Sequence, residues 1–330
     1  MTRNLNFIRR ILEKLFIRQW TIGFFRGNIK DIIRTKSFDP DIKWLPIEAF
    51  KRFFADPLLL PRKNGHYCVI AEEFSIDEAY WKISLMTIDE TLELVSNRIL
   101  LDTKNHQSYP FIFKENNKIY VFPESGRSGD LSCYEYNPEQ QSLNFLGIIM
   151  NLPIVDPTIL KYNNKYWLFA TLRGKDSHSK LYIYFSDNLM GPYKEHPLNP
   201  VKNTLKSSRP AGNFIEVDGV LYRPSQNCEN RYGESITINK INVLDEFNFS
   251  AEHYMSVSIN QANKHNKRIH SIHTINEDED IIVVDGQKRV FYPFGKLRHW
   301  LRKSLKKSEK FKSLILMSLS TEIFRWVYSF

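Results

Sequence analysis

The feature that most limits what this chain can fold into is a repeated unit. The stretch from Asp156 to Thr171 reads as strand, tight turn, strand. Its apolar positions recur at a period near two, and Asn163-Asn164 suits a two-residue turn with positive φ. Asp156-Pro157 opens it. The same unit begins upstream at Asp56-Pro57, with Asn64-Gly65 as the turn, and again at Tyr109-Pro110, with Asn116-Asn117. It returns at Arg209-Pro210, with Asp218-Gly219, and in a divergent copy at Ile272-His273, with an acidic turn between Asn276 and Asp280. The steps between openings are roughly 50 to 60 residues, the length of a propeller blade built of several short strands. Five such units predict an all-β chain folded as a five-bladed β-propeller. The competing architecture is a β-sandwich with incidental proline turns.

Composition agrees with strands. Aromatic residues make up 14% of the 330, with Phe and Tyr prominent. Cys68, Cys133 and Cys228 are too few and too odd in number for a disulfide framework, which points to a reducing compartment. The net charge of +9 is unevenly spread. Residues 1–36 carry +7 and residues 287–312 carry +9, so the repeat region 37–286 carries −7. An acidic body with two basic ends argues against a nucleic-acid partner and for contact of the ends with an anionic membrane surface.

Three regions follow. Residues 1–43 read as a basic N-terminal helix and then a strand, Trp20 to Phe25, placed to close the ring on the last blade. Residues 44–290 are the propeller. Residues 291–330 read as a basic amphipathic helix, with Leu297, Leu301, Leu305, Phe311 and Ile315 on one stripe. Neither end offers an apolar run long enough to span a bilayer, whereas the second suits a membrane interface. A helix packed on the propeller or a dimer contact is the alternative. The expected location is cytoplasmic, peripheral at the inner membrane face.

In a propeller the innermost strands converge on one channel, so the blade openings are where chemistry belongs. They carry Asp56, Tyr109, Asp156, Arg209 and His273. The ends of the following strands carry Glu72, Glu73, Glu124, Thr171, Gln226 and Asp285. Carboxylates crowded in one pocket have their pKa values pushed apart, which yields one base and one acid, as glycosyl transfer requires. The fourth blade adds Arg223, Asn227, Arg231 and Tyr232. Arg209, Arg223 and Arg231 can clamp a phosphate or carboxylate, or pair with Glu124, Glu73 or Asp156 inside the channel. His270 and His273 can donate to a sugar hydroxyl; no zinc-type spacing accompanies them. Ca²⁺ or Mg²⁺ is compatible with the carboxylates but not required by any motif. There is no phosphate-binding loop, dinucleotide fingerprint, nucleophile elbow or HExxH.

Several motifs occur in an order that resembles a known family: Phe54-Ala55-Asp56-Pro57, Ser108-Tyr109-Pro110-Phe111, Val155-Asp156-Pro157-Thr158, Ser208-Arg209-Pro210-Ala211-Gly212, Tyr222 to Cys228, Arg231-Tyr232-Gly233 and His273-Thr274. Over about residues 44–290 they resemble the N-terminal domain of glucosamine inositolphosphorylceramide transferase-type proteins, a domain also met in bacterial surface-polysaccharide proteins. That domain is in turn similar to the propeller of family 43 glycoside hydrolases. The resemblance implies that Asp56 matches the general base of those hydrolases and Asp156 the carboxylate that orients and tunes. Their blade-four acid has no counterpart, because Ser208-Arg209-Pro210 stands there. A missing acid matters less with a good leaving group such as a nucleoside diphosphate, and Glu124 can supply an acid from blade two.

The expected function is therefore glycosyl transfer in surface-polysaccharide or glycolipid synthesis. Asp56, Asp156 and Glu124 would be catalytic, with Arg209 and Arg231 on the phosphates of a nucleotide-sugar donor. The acceptor is a glycan or lipid-linked sugar. A hydrolase with Glu124 as acid and a non-catalytic carbohydrate-binding propeller are the alternatives.

Overall fold

The computed structural model describes residues 16–46, 51–76, 78, 80–259 and 269–291. The two helices expected in the basic ends lie outside these residues. Gln19–Lys288 form one compact unit; the remaining terminal residues group separately.

The chain is a five-bladed β-propeller. Blade one holds strands Arg52–Lys63, His66–Ser75, Tyr80–Ile88 and Leu94–Leu101; blade two holds Ser108–Glu115, Lys118–Ser125, Asp130–Asn137 and Ser142–Met150. In blade three Ile154–Tyr162, Lys165–Leu172, Lys180–Ser186 and Lys194–Glu195 are followed by the short Lys202–Asn203. Blade four is Ile215–Val217, Val220–Asn227, Ser235–Leu244 and Phe249–Val257. Blade five is assembled from both ends of the chain. Ile275–Asp278 and Ile269–Ser271 pair with Ile281–Phe291, next to which lie Phe16–Arg26 and then Lys43–Trp44. Lys43–Trp44, at the expected start of the propeller, is the outermost strand of blade five.

The inner hairpins turn as their residues dictate. Both central residues have positive φ at Asn64-Gly65, Asn116-Asn117, Asn163-Asn164 and Asp218-Gly219, the conformation that matches strand twist in two-residue loops. The core runs between neighbouring blades. Leu58, Phe111, Val121, Ile159 and Leu168 join blades one to three, and Ile215, Ile236, Ile275 and Ile282 join four and five. Ile22 and Phe24 of the N-terminal strand pack with Leu59, Val69 and Val283, sealing blade five to blade one. A short helix, Ile29–Thr35, was not legible in the sequence; Asn28 caps it and Ile29 and Ile33 are its buried face.

The first strands of blades one to three are interrupted at their openings. The pairing register jumps between Ala55 and Leu58, Ser108 and Pro110, and Val155 and Thr158. Within those bulges Asp56, Tyr109 and Asp156 adopt φ of 49°, 35° and 50°. Such left-handed non-glycine residues cost about 1–3 kcal/mol each and persist where the surroundings hold them. A bulge re-aims a side chain; here it turns all three toward the channel end.

Candidate active site

The five openings do meet. Asp56, Tyr109, Asp156 and His273 are buried, and so are Glu72, Glu124, Thr171, Gln226 and Asp285 at the ends of the second strands. Glu73 is not part of this group. Successive side chains on a strand point to opposite faces, so with Glu72 inward Glu73 faces outward. There it accepts from Ser84 and from Asn97 at 3.0 Å, and Arg52 lies 3.6 Å away.

One side of the site is a row of three groups. Asp285 is fully buried, and three backbone N–H groups and an imidazole nitrogen surround its oxygens. Oδ1 accepts from the backbone of His273 and Thr274, both at 3.1 Å. Oδ2 accepts from the backbone of Asp56 at 2.9 Å and lies 2.6 Å from His273 Nδ1. His273 Nε2 then faces Asp56 Oδ1 across 3.6 Å. The imidazole is stacked on Trp20, centroids 3.9 Å apart, and meets the edge of Tyr232. Burial would lower the His273 pKa, but Asp285 and Asp56 raise it above its ordinary value. Asp285 is driven below the carboxylate range despite its burial, through the charge and hydrogen bond of His273. Asp56 goes the other way, well above that range, because of burial and the charge of Glu72. Its Oδ1 has no hydrogen-bond partner within the protein.

The other side is built around Asp156. Arg209 grips it with Nε on Oδ2 and Nη2 on Oδ1, the latter at 3.2 Å. Gln226 Nε2 donates to the same Oδ2 at 2.9 Å. The guanidinium also meets His178 Nδ1 at 3.1 Å and lies 5.0 Å over the Tyr232 ring. Glu124 Oε2 accepts the backbone N–H of Asp156 at 3.3 Å. Burial, then the Asp156 charge, pushes Glu124 up to about 8, so it is largely protonated at neutral pH. Glu124 and Arg209 line a cavity of about 360 Å³ together with Arg173 and Ser177.

The remaining expected residues fall into other roles. Tyr109 is a strut: its hydroxyl bonds Thr158 Oγ1 at 3.0 Å and accepts from Gly212 N at 2.9 Å. Gly212 is required there, since a Cβ would sit 2.1 Å from Ile275 O. Arg223 is no ligand clamp but lies inside blade four, donating to the carbonyls of Ser207 and Ser208. Arg231 donates to the carbonyl of His270, whose own position is exposed on the short strand Ile269–Ser271. Asn227 lines a second cavity rather than the channel. Trp20, His178, Arg173 and Ser177 were missed from sequence. Trp20 belongs to a strand some 250 residues from His273, and the other three sit in a polar loop of blade three with no pattern to mark them.

Asp56, His273 and Asp285 are close enough to suggest a cation site, their ligand atoms within 4.8 Å of one another. The protein alone does not supply the shell of Ca²⁺ or Mg²⁺, which take six or more oxygens, several of them from water. Three backbone N–H groups already occupy Asp285, and His273 Nδ1 faces it. The arrangement is an Asp–His–Asp row held by charge and by backbone N–H groups.

Comparison with known proteins agrees with this architecture. Residues 48–287 match the family described as glucosamine inositolphosphorylceramide transferase 1, N-terminal. The glucosamine inositolphosphorylceramide transferase 1 of Oryza sativa subsp. japonica is 33% identical over 167 residues, 49% of this chain and 22% of that one. Its counterpart in Arabidopsis thaliana is 32% identical over 212 residues, 63% and 27%. The chain thus spans about a quarter of the length of these relatives. Among solved structures, the family 117 glycoside hydrolase Zg3597 of Zobellia galactanivorans superposes with a TM-score of 0.51 at 14% identity, covering 84% of this chain and 92% of that one. A family 43 β-xylosidase/α-arabinofuranosidase from a compost metagenome gives 0.48 at 12% identity, covering 64% and 79%. At such identities the likeness is one of fold. With the family match running through all five blades, the chain belongs to the family of the N-terminal domain of glucosamine inositolphosphorylceramide transferase 1.

Proposed function

We propose that the channel transfers a sugar from a donor with an anionic leaving group to a hydroxyl of a glycan or lipid-linked acceptor. The observation that carries this reading is Glu124, a carboxyl held protonated at neutral pH in the wall of a cavity that also holds Arg173 and Ser177. An acid beside an unpaired guanidinium suits departure of a phosphate-bearing group. Arg173 has no ion pair or side-chain hydrogen bond among the described residues, whereas Arg209, expected on the phosphates, is taken by Asp156. Across the channel, Asp56 presents an oxygen without a partner beside His273, whose charge favours its ionised form, and its raised pKa makes that form a strong base for the acceptor's proton. The acceptor oxygen bonds to the anomeric carbon as the bond to the leaving oxygen breaks. The acceptor proton passes to Asp56, and Glu124 or Arg173 meets the charge on the leaving group. Asp156, fixed by Arg209 and Gln226, positions the sugar.

A hydrolase would use the same groups with water as acceptor, and the raised pKa of Glu124 is what favours it as the second reading. Incubation with nucleotide sugars and lipid or oligosaccharide acceptors, with product analysis, separates the two. Asp56→Asn should lower turnover by about 10²–10⁴-fold with the fold kept. Full activity in that variant would remove Asp56 as the base. Binding of sugars without turnover in the native chain would leave a carbohydrate-binding propeller.

The basic ends support a second part of the proposal, attachment to an anionic membrane surface such as the inner face of a cytoplasmic membrane. Among the described residues no helix is long and apolar enough to cross a membrane. Because the second strand of blade five runs to Phe291, a chain ending there keeps the blade. It should lose binding to anionic liposomes. Undiminished binding would exclude residues 292–330 as the anchor.

A further inference from the structure

We infer that a second cavity, in blade four, is a binding site for a phosphate-sized oxyanion. It has a volume of about 440 Å³ and is lined by Lys202, Lys206, Ser207, Glu229, Asn239 and His253 among others. It is distinct from the cavity that holds Glu124. The two share the segment 207–209, with Ser207 in one wall and Arg209 in the other. Two residues span at most about 7 Å, so one extended ligand can occupy both.

The charge of this cavity is what calls for an anion. Arg223 lies directly behind Ser207, 1% exposed. It is held only by the carbonyls of Ser207 and Ser208, and its Nε has no partner. Lys202 Nζ donates to Ser207 Oγ at 3.2 Å and to Asn239 Oδ1 at 3.1 Å, both neutral acceptors. Its third N–H is not used by any of these bonds. Neither cation has a carboxylate within ion-pair distance among the described residues. Buried charges are ordinarily paired. The one acidic group lining the cavity, Glu229, is paired with Lys206 at 3.3 Å. Lys202 and Lys206 therefore line the cavity with one carboxylate, and Arg223 stands unpaired behind its wall. Burial, and then the Arg223 charge, pushes Lys202 down to about 8. Burial likewise brings Arg223 down to about 9, so both still carry most of their charge at neutral pH. An oxyanion against Lys202 relieves that repulsion and supplies the missing counter-charge.

The site does not depend on the catalytic reading of the channel, and its test is arranged accordingly. Inorganic phosphate is titrated into the full chain by calorimetry at low ionic strength, followed by a hexose 1-phosphate. Phosphate should bind, and Lys202→Gln should weaken it by about tenfold or more, an effect that should persist in the Arg173→Ala background, where the other cavity has lost its guanidinium. Tighter binding of the sugar phosphate would assign the subsite to a phosphorylated saccharide; equal binding would assign it to free phosphate. In the native chain the affinity should fall as pH rises through about 8, where Lys202 loses its proton. That readout stands even if Lys202→Gln does not fold. No phosphate binding, binding unaffected by Lys202→Gln in a folded variant, or a decline only near the ordinary lysine value would each overturn the proposal. Loss of binding in Arg173→Ala alone would place the anion in the other cavity and overturn it as well.

Discussion

Arg209 reaches from blade four to grip Asp156 of blade three, with Nε on one carboxylate oxygen and Nη2 on the other at 3.2 Å. Blade four thus contributes a cation to the channel, and Asp156 is a positioned anion rather than a free base. Removing one partner of a buried pair leaves the other charge uncompensated, which costs about 3–5 kcal/mol. Arg209→Met should lower stability by that amount in urea unfolding, and Asp156→Asn in the same chain should recover part of it. A loss below about 1 kcal/mol would mean that Gln226 alone satisfies Asp156.

Glu124 gives the channel a pH signature. In the unfolded chain its carboxyl titrates near 4.5, in the folded chain near 8. Between those values the folded state keeps a proton that the unfolded state has lost. Its contribution to stability is therefore complete below about pH 4.5 and is lost as pH rises toward 8, by up to about 1.4 kcal/mol per pH unit. Asp56 and Glu72, also raised, act in the same direction. Urea unfolding from about pH 5 to about pH 8 should show stability falling, with a shallower slope in Glu124→Gln. If Glu124 is the acid, the alkaline limb of the rate profile should also vanish in that variant.

Tyr109 ties three blades together through one hydroxyl, bonded to Thr158 and to Gly212 N. Tyr109→Phe leaves a backbone N–H unsatisfied in a buried site. The expected destabilisation is about 1–3 kcal/mol, with any loss of turnover arising from a displaced Asp156. An unchanged midpoint in thermal unfolding would count against the strut.

Phe24 is fully buried where the N-terminal strand meets blade one. Phe24→Ala should cost about 3–5 kcal/mol, as much as a substitution at the centre of an unbroken blade. Removal of residues 1–27 should abolish cooperative unfolding measured by calorimetry. Retained cooperativity would mean that the ring stands without its closing strand.

The repeat and its turns were legible because they are local. Asn-Asn and Asp-Gly fix the hairpins within four residues, and the strand period fixes which residues face inward. The same locality placed Asp56, Asp156 and Glu124 at the channel end: each marks the start or end of an inner strand. Arg223 was misplaced because its sequence neighbours resemble a channel edge, while alternation along the strand turns it into the blade between Gln226 and Tyr222. Asp285 was noticed only as one more carboxylate. Its work, accepting three backbone N–H groups and facing the His273 imidazole, depends on contacts across 229 residues to Asp56, which no local pattern records.

The closing of blade five by the first strand also sets a timetable. Arg26 finds Asp280 across 254 residues, so the strand Phe16–Arg26, once made, waits for one made that much later. At about 5–20 residues per second that interval is roughly 13 to 50 seconds. Throughout it the strand has only the two residues Lys43–Trp44 to pair with, and its other edge stands open. A nascent chain of this protein therefore depends, over that interval, on whatever shields a half-paired apolar strand from its neighbours.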